Sequence, residues 1–199
     1  MVIDPQTREL EIKLALIGLP ASGKRQILQD WSSQQGDGRI LYTRVGDALL
    51  YRASFRWNNL PRDDWSIKLT AYAAEGEISH SAISEMLLKD ADGIAFVAPI
   101  DPDRAQAIRD SLVNLRQVLA YLGHHISEIP VVMHYHQAER LPGFDPNLLS
   151  DFLGIPRGLV PHVMSRSDDG SSLTSSLALL LQKVMKKAEE MINLGEVPA

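Results

Sequence analysis

The chain contains no cysteine. That excludes a disulfide framework, a thiolate metal site and a cysteine nucleophile. Long apolar runs are missing too: the longest reach about seven residues, far short of the roughly 20 that a spanning helix needs, so no membrane span is expected. Residues 1–10 are polar and lack the apolar core of a secretory leader, and the expected compartment is the cytoplasm. There is no excess of positive charge. Lys and Arg number 20 against 25 Asp and Glu, a net charge of -5. A polyanion requires a positive field, so nucleic acid is not an expected partner. The six histidines fall in neither an H-x-x-x-H nor an H-E-x-x-H spacing, and no metal site is expected from them.

What is present is ordinary globular material. Of 199 residues, 45% are hydrophobic and 23% charged, which suits one compact domain over 1–199. Residues 1–9 and 194–199 are expected to be loose ends. Short apolar runs alternate with helical periodicity, the pattern of an α/β fold. Strands are expected over 10–17, 48–57, 65–72, 93–98, 129–136 and 158–164, and helices over 25–33, 81–89, 101–122, 145–153 and from 170 onward. The turn-rich stretch 58–64 predicts an antiparallel hairpin between the second and third strands. Asp101-Pro102 and Asp145-Pro146 read as helix starts, with Asp as cap and Pro at the first helical position.

One loop carries chemistry. Gly18-Leu19-Pro20-Ala21-Ser22-Gly23-Lys24 fits G-x-x-x-x-G-K directly after the first strand and opens a helix. Its glycines let backbone N–H groups close around phosphates, with Lys24 reaching the outer ones. The expected phosphate-binding residues are therefore Gly18, Ser22, Gly23 and Lys24. The next position normally supplies a hydroxyl for Mg²⁺. Here it is Arg25, which cannot ligate a cation. Either Arg25 contacts phosphate in place of the metal, or it lies on the helix beside a decayed site.

The whole chain resembles the bacterial gliding-motility Ras-like small GTPases. The resemblance runs over roughly 11–187. It rests on the phosphate loop, on the segment from Leu49 to Trp57 with its hairpin, and on Ala73-Ala74-Glu75-Gly76-Glu77. Asp92-Gly93-Ile94-Ala95-Phe96-Val97-Ala98, Asn114-Leu115-Arg116 and Ile129-Pro130-Val131-Val132 continue it. It implies a Ras-like P-loop three-layer α/β sandwich with a mixed, mostly parallel six-stranded sheet holding one antiparallel strand. It also places Thr43 in switch I, adds Gly76 to the phosphate site, and sets Glu77 where the family has its water-orienting Gln. The base-reading positions fall on His136, Gln137, Glu139 and Ser165.

The departures from the family pattern define the functional expectation. Mg²⁺ loses its hydroxyl at Arg25, and the attacking water loses its amide at Glu77. Asn, Lys and Asp of the base-reading motif become His136, Gln137 and Glu139. Together these predict a pseudo-GTPase with no catalytic residue. It would hold GTP or GDP if any nucleotide, with little part for Mg²⁺, and act in protein–protein signalling or scaffolding. The resemblance implies a role in cell polarity or motility and a roadblock-domain partner on the face from Arg44 to His80. The competing readings are an active GTPase or other NTPase using Arg25, and a small-molecule kinase. Glu75 or Glu77 is further expected to occupy the phosphate site, pair with Lys24 or Arg25, and fix the switch.

Overall fold

The computed structural model describes residues 1–4, 7–35, 38–46, 48–57, 66–75, 82–156, 158–166 and 170–194. The strands are β1 (Val2–Asp4), β2 (Glu9–Gly18), β3 (Leu41–Val45), β4 (Ala48–Trp57), β5 (Ser66–Glu75), β6 (Gly93–Pro99), β7 (Val131–His136) and β8 (His162–Ser165). The helices are α1 (Lys24–Gln35), α2 (Ala82–Leu88), α3 (Ala105–Tyr121), α4 (Pro146–Phe152) and α5 (Gly170–Leu194).

All eight strands join one sheet in the order β3-β4-β5-β2-β6-β7-β8, with β1 paired to β2. β5, β2, β6, β7 and β8 are mutually parallel, while β4 runs against both β3 and β5. β6 is buried at every position, as a central parallel strand covered on both faces must be. One face packs Ile27, Leu28 and Trp31 of α1 with Leu177, Leu180 and Val184 of α5. The other packs Leu87 and Leu88 of α2 with Ile108, Leu112 and Leu115 of α3. This is the three-layer α/β architecture of Ras-like phosphate-loop proteins.

The strand count corrects the sequence reading, which expected six. β1 pairs with β2 across Val2↔Glu11, Ile3↔Leu10 and Asp4↔Glu9, so the start of the chain is not a loose end. The Met1 amino group also forms an ion pair with Asp92, whose other oxygen accepts from Lys13 N at 2.8 Å. The second addition is β3, exposed at four of its five positions. The helix expected from Pro102 begins as a 3-10 turn, Pro102–Arg104, before α3 proper. The hairpin strands pair antiparallel as expected, from Leu49↔Glu75 to Trp57↔Ile67; their connecting turn, 58–64, lies outside the described residues, as does the tail from 195 to 199.

Among the described residues, no helix is long and apolar enough to cross a membrane.

Candidate functional site

The phosphate loop sits at the carboxyl end of β2, where open parallel sheets place their ligands. Two glycines are sterically obligatory there. Gly18 has φ 141°, and a Cβ on it would lie 1.9 Å from the carbonyl oxygen of Val97 on β6. Gly23 has φ 90°, and a Cβ on it would lie 2.3 Å from Cδ2 of His136. Between them Ala21 adopts φ 55°, a left-handed conformation that costs a non-glycine residue about 1 kcal/mol or more. Strain of this kind persists only where the surroundings fix it. The helix then starts cleanly, with Ile27 N donating to Gly23 O at 3.0 Å.

Lys24 is 3% exposed and Ser22 1%. The Lys24 ammonium donates to Gly18 O at 3.1 Å, Leu19 O at 2.5 Å and Ser22 Oγ at 3.4 Å. Burial pushes its pKa down to about 8; Glu75 opposes that shift and Arg104 adds to it. Among the described residues, Lys24 thus bonds to the loop's own oxygens and not to Glu75, one of the two carboxylates expected for it. Glu75 ends β5 and instead accepts a hydrogen bond from the Tyr51 hydroxyl at 3.0 Å. Gly76 and Glu77 lie outside the described residues.

Arg25 is exposed, and its guanidinium stacks over the Tyr51 ring at 5.2 Å from the centroid. Tyr51 thus holds the cation on its face and the Glu75 carboxylate at its hydroxyl. A third cation enters from β6: Arg104, in the 3-10 turn before α3, donates to Pro20 O at 3.0 Å. Sequence reasoning missed Arg104 and Tyr51. Arg104 had a usable signal, because the loop after β6 must emerge beside the loop after β2 when the two strands are parallel neighbours.

The remaining expected site residues divide. Thr43 lies inside β3, exposed, with its Cα opposite Leu50 of β4. β3 is separated from β2 by β4 and β5, three strand spacings or about 14 Å. It is a ladder residue at the sheet edge, not a loop residue over the phosphates. Its place and the chemistry of Arg25 leave no fit for Mg²⁺ among the described residues. The phosphate cradle itself does fit an anion: two glycines open the loop, and Lys24 and Arg25 adjoin it.

His136 and Ser165 are each 1% exposed. Ser165 Oγ meets His136 Nδ1 at 3.0 Å and His134 Nε2 at 2.6 Å, and His134 Nδ1 meets Ser176 Oγ of α5 at 2.7 Å. This corrects the base-reading expectation for both residues. His136 Nδ1 and Ser165 Oγ meet each other, because β7 and β8 pair in the register His136↔Ser165 beneath α5. Burial lowers the pKa of both histidines, that of His134 to about 3, so both rings are neutral. Gln137 (φ 65°) and Glu139, which lies in the turn Ala138–Arg140, are partly exposed. Glu139 also raises the His136 pKa against the effect of burial.

No family model matches the chain. It is similar to the mutual gliding-motility protein MglA of Myxococcus xanthus, 35% identical over 68 residues, which are 34% of this chain and 35% of that protein. The match thus spans about a third of the length of this relative.

Proposed function

We propose that this protein is a Ras-like member of the gliding-motility GTPase group that keeps the phosphate loop but has lost turnover. It acts by protein–protein contact in polarity or motility signalling. The observation that carries the reading is Arg25, stacked on Tyr51 at the position where a metal-holding hydroxyl belongs. The similarity to MglA and the Ras-like sheet order support the family. The partner face is the sheet edge of β3 to β5. There Leu41 is 57% and Tyr42 71% exposed, and among the described residues β3 is the edge strand of the sheet. A roadblock-domain regulator is the partner that this reading names.

Nucleotide phosphates, when bound, would lie against Gly18, Ser22, Gly23 and Lys24. Arg25 and Arg104 would supply the charge that Mg²⁺ supplies elsewhere. Gln137 and Glu139 would be left to meet the base. Glu77 cannot do the work of a neutral amide in orienting water, so hydrolysis is negligible. The test is calorimetric titration with GTP, GDP and ATP, with Mg²⁺ or EDTA, followed by phosphate release with the partner present. Metal-independent binding with no release above a Lys24→Ala control is expected. Release above that control overturns the pseudo-enzyme reading and favours the active NTPase. A large loss of affinity in EDTA overturns the metal-free site.

A further inference from the structure

A groove of about 790 Å³ opens at the end of the sheet away from the phosphate loop. It lies between the last turns of α3, the 3-10 turn Ile126–Glu128, the segment before β8, and α5. Val131, at its floor, begins β7 and His136, under Gly23, ends it; five residues of strand separate the two sites by about 16 Å.

Its floor is apolar: Leu112, Ile129, Val131, Met133 and Ile155, each buried from the sides by the second core layer. Its rim is cationic. Arg116 comes from α3, and Lys183, Lys186 and Lys187 come from α5, where spacings of three and four place them on one helix face. Two carboxylates line the same groove, and both are engaged. Glu128 accepts from His125 N at 2.9 Å, and Glu190 stands 3.9 Å from Lys186. Lys187 donates to Glu128 O at 2.6 Å. Arg116 and Lys183 have no hydrogen bond or ion pair among the described residues.

We propose that this groove binds an amphipathic anion: one apolar chain ended by a carboxylate or phosphate. Its volume falls in the range of small-molecule sites, roughly 300–1,000 Å³. The floor takes the chain, and the two unpartnered cations take the head. The chain as a whole has a net charge of -5, so the attraction for an anion here is that of the groove's own cations. The lining has no Phe, Tyr or Trp, its only aromatic rings being His124 and His125, and it has no glycine loop to wrap phosphates. A nucleotide is therefore the wrong occupant. Leu159 at the mouth is 64% exposed, and a bound chain would cover it.

The experiment titrates the full chain with decanoate and decyl phosphate below their micelle concentrations. Decyltrimethylammonium is the charge control, and vesicles of anionic phospholipid are the membrane control. Calorimetry gives the affinity, and the methyl resonance of Met133 reports entry to the floor. Expected are saturable binding of both anions with a shifted Met133 signal, a loss of tenfold or more in Arg116→Glu and Lys183→Glu, and no change in Lys24→Ala. Equal binding of the cationic amphiphile overturns the proposal. So does indifference to both charge reversals, provided they melt like the parent protein, and so does binding to vesicles without binding of the monomeric anions.

Discussion

Raising the pH from 7 to 9 should weaken the binding of a nucleoside triphosphate to this protein by about tenfold. The perturbation acts on Lys24. The residue is 3% exposed, and burial holds its pKa down to about 8. About nine in ten molecules carry the charge at pH 7 and about one in ten at pH 9, as follows from a titration centred near 8. Only the ammonium attracts the outer phosphates strongly, and a bound phosphate raises the lysine pKa, so binding takes up a proton wherever the free site has lost one. A lysine in water would keep its charge across the whole window. The assay is a fluorescent GTP analogue titrated in EDTA at half-unit pH intervals. Lys24→Arg, charged throughout, serves as the control with a flat profile. The ¹³Cε shift of Lys24 gives the free-site titration directly. The same linkage has a stability consequence. Between pH 8 and 10.5 the unfolded chain holds a proton that the native chain has released, so native stability rises with pH in that window. Below pH 8 the buried charge carries its full penalty, at most about 3 kcal/mol. Lys24→Met should therefore raise the melting temperature at pH 7 and change it little at pH 10. An affinity that stays constant from pH 7 to 9 in the parent protein, or a Cε titration near 10.5, would refute the reasoning.

Three further perturbations test other parts of the site. His134, with a pKa lowered to about 3, stays neutral when native and protonates below about 6.5 when unfolded. Stability should therefore fall as the pH drops, by about 2 kcal/mol between pH 6.5 and 5, and urea unfolding should show that loss disappearing in His134→Gln. Gly18→Ala should cost about 3 kcal/mol or more, because its Cβ meets the Val97 carbonyl at 1.9 Å and backbone cannot yield. Gly23→Ala has the His136 ring as its nearest neighbour, at 2.3 Å, so adding His136→Ala should recover part of the loss in a thermal melt, and no such suppressor should exist for Gly18. Tyr51→Phe keeps the ring under Arg25 but removes the 3.0 Å bond to Glu75, which should cost about 1 kcal/mol; equal losses in Tyr51→Phe and Tyr51→Ala would show that the stack contributes nothing.

The layered architecture was legible because its strongest signals are local. Gly18 to Lys24 marks a strand–loop–helix transition by itself, and the unbroken apolar run of β6 needs burial on both faces. β1 and β3 were not legible for opposite reasons. β1 is three residues long, too short to show a period. β3 is exposed on both sides at the sheet edge, so its sequence has no alternation to detect. The site divides in the same way. The loop glycines and Lys24 follow from spacing, and the i, i+2 relation of His134 and His136 correctly puts them on one face. Their partners do not follow, since Ser165 and Ser176 arrive from β8 and α5 by long-range register. Arg104 reaches Pro20 across 84 positions, a contact fixed by which strands are neighbours and by nothing local.

The loop's conformation is maintained from below and from within, and this changes what a ligand must do to enter. From below, the His136 ring fills the space that a Cβ on Gly23 would take, and the ring is held through Ser165, His134 and Ser176. That chain is buried and neutral, so each ring nitrogen in it acts as a hydrogen-bonding group and not as a charge; losing one member leaves another unsatisfied, at a cost of about 1–3 kcal/mol. From within, Lys24 bonds to the carbonyls of Gly18 and Leu19 and needs no carboxylate. An arriving phosphate competes with those two carbonyls for one ammonium while the glycine backbone stays fixed. Among the described residues, the side chains at the mouth are Arg25 on Tyr51, Glu75 on the same tyrosine, and Arg104 on Pro20. A phosphate bound there would rearrange these charges around the glycine loop. On the proposed reading, Tyr51 and β4 offer one route from the loop mouth to a partner, since they lie between Arg25 and the exposed edge strand β3.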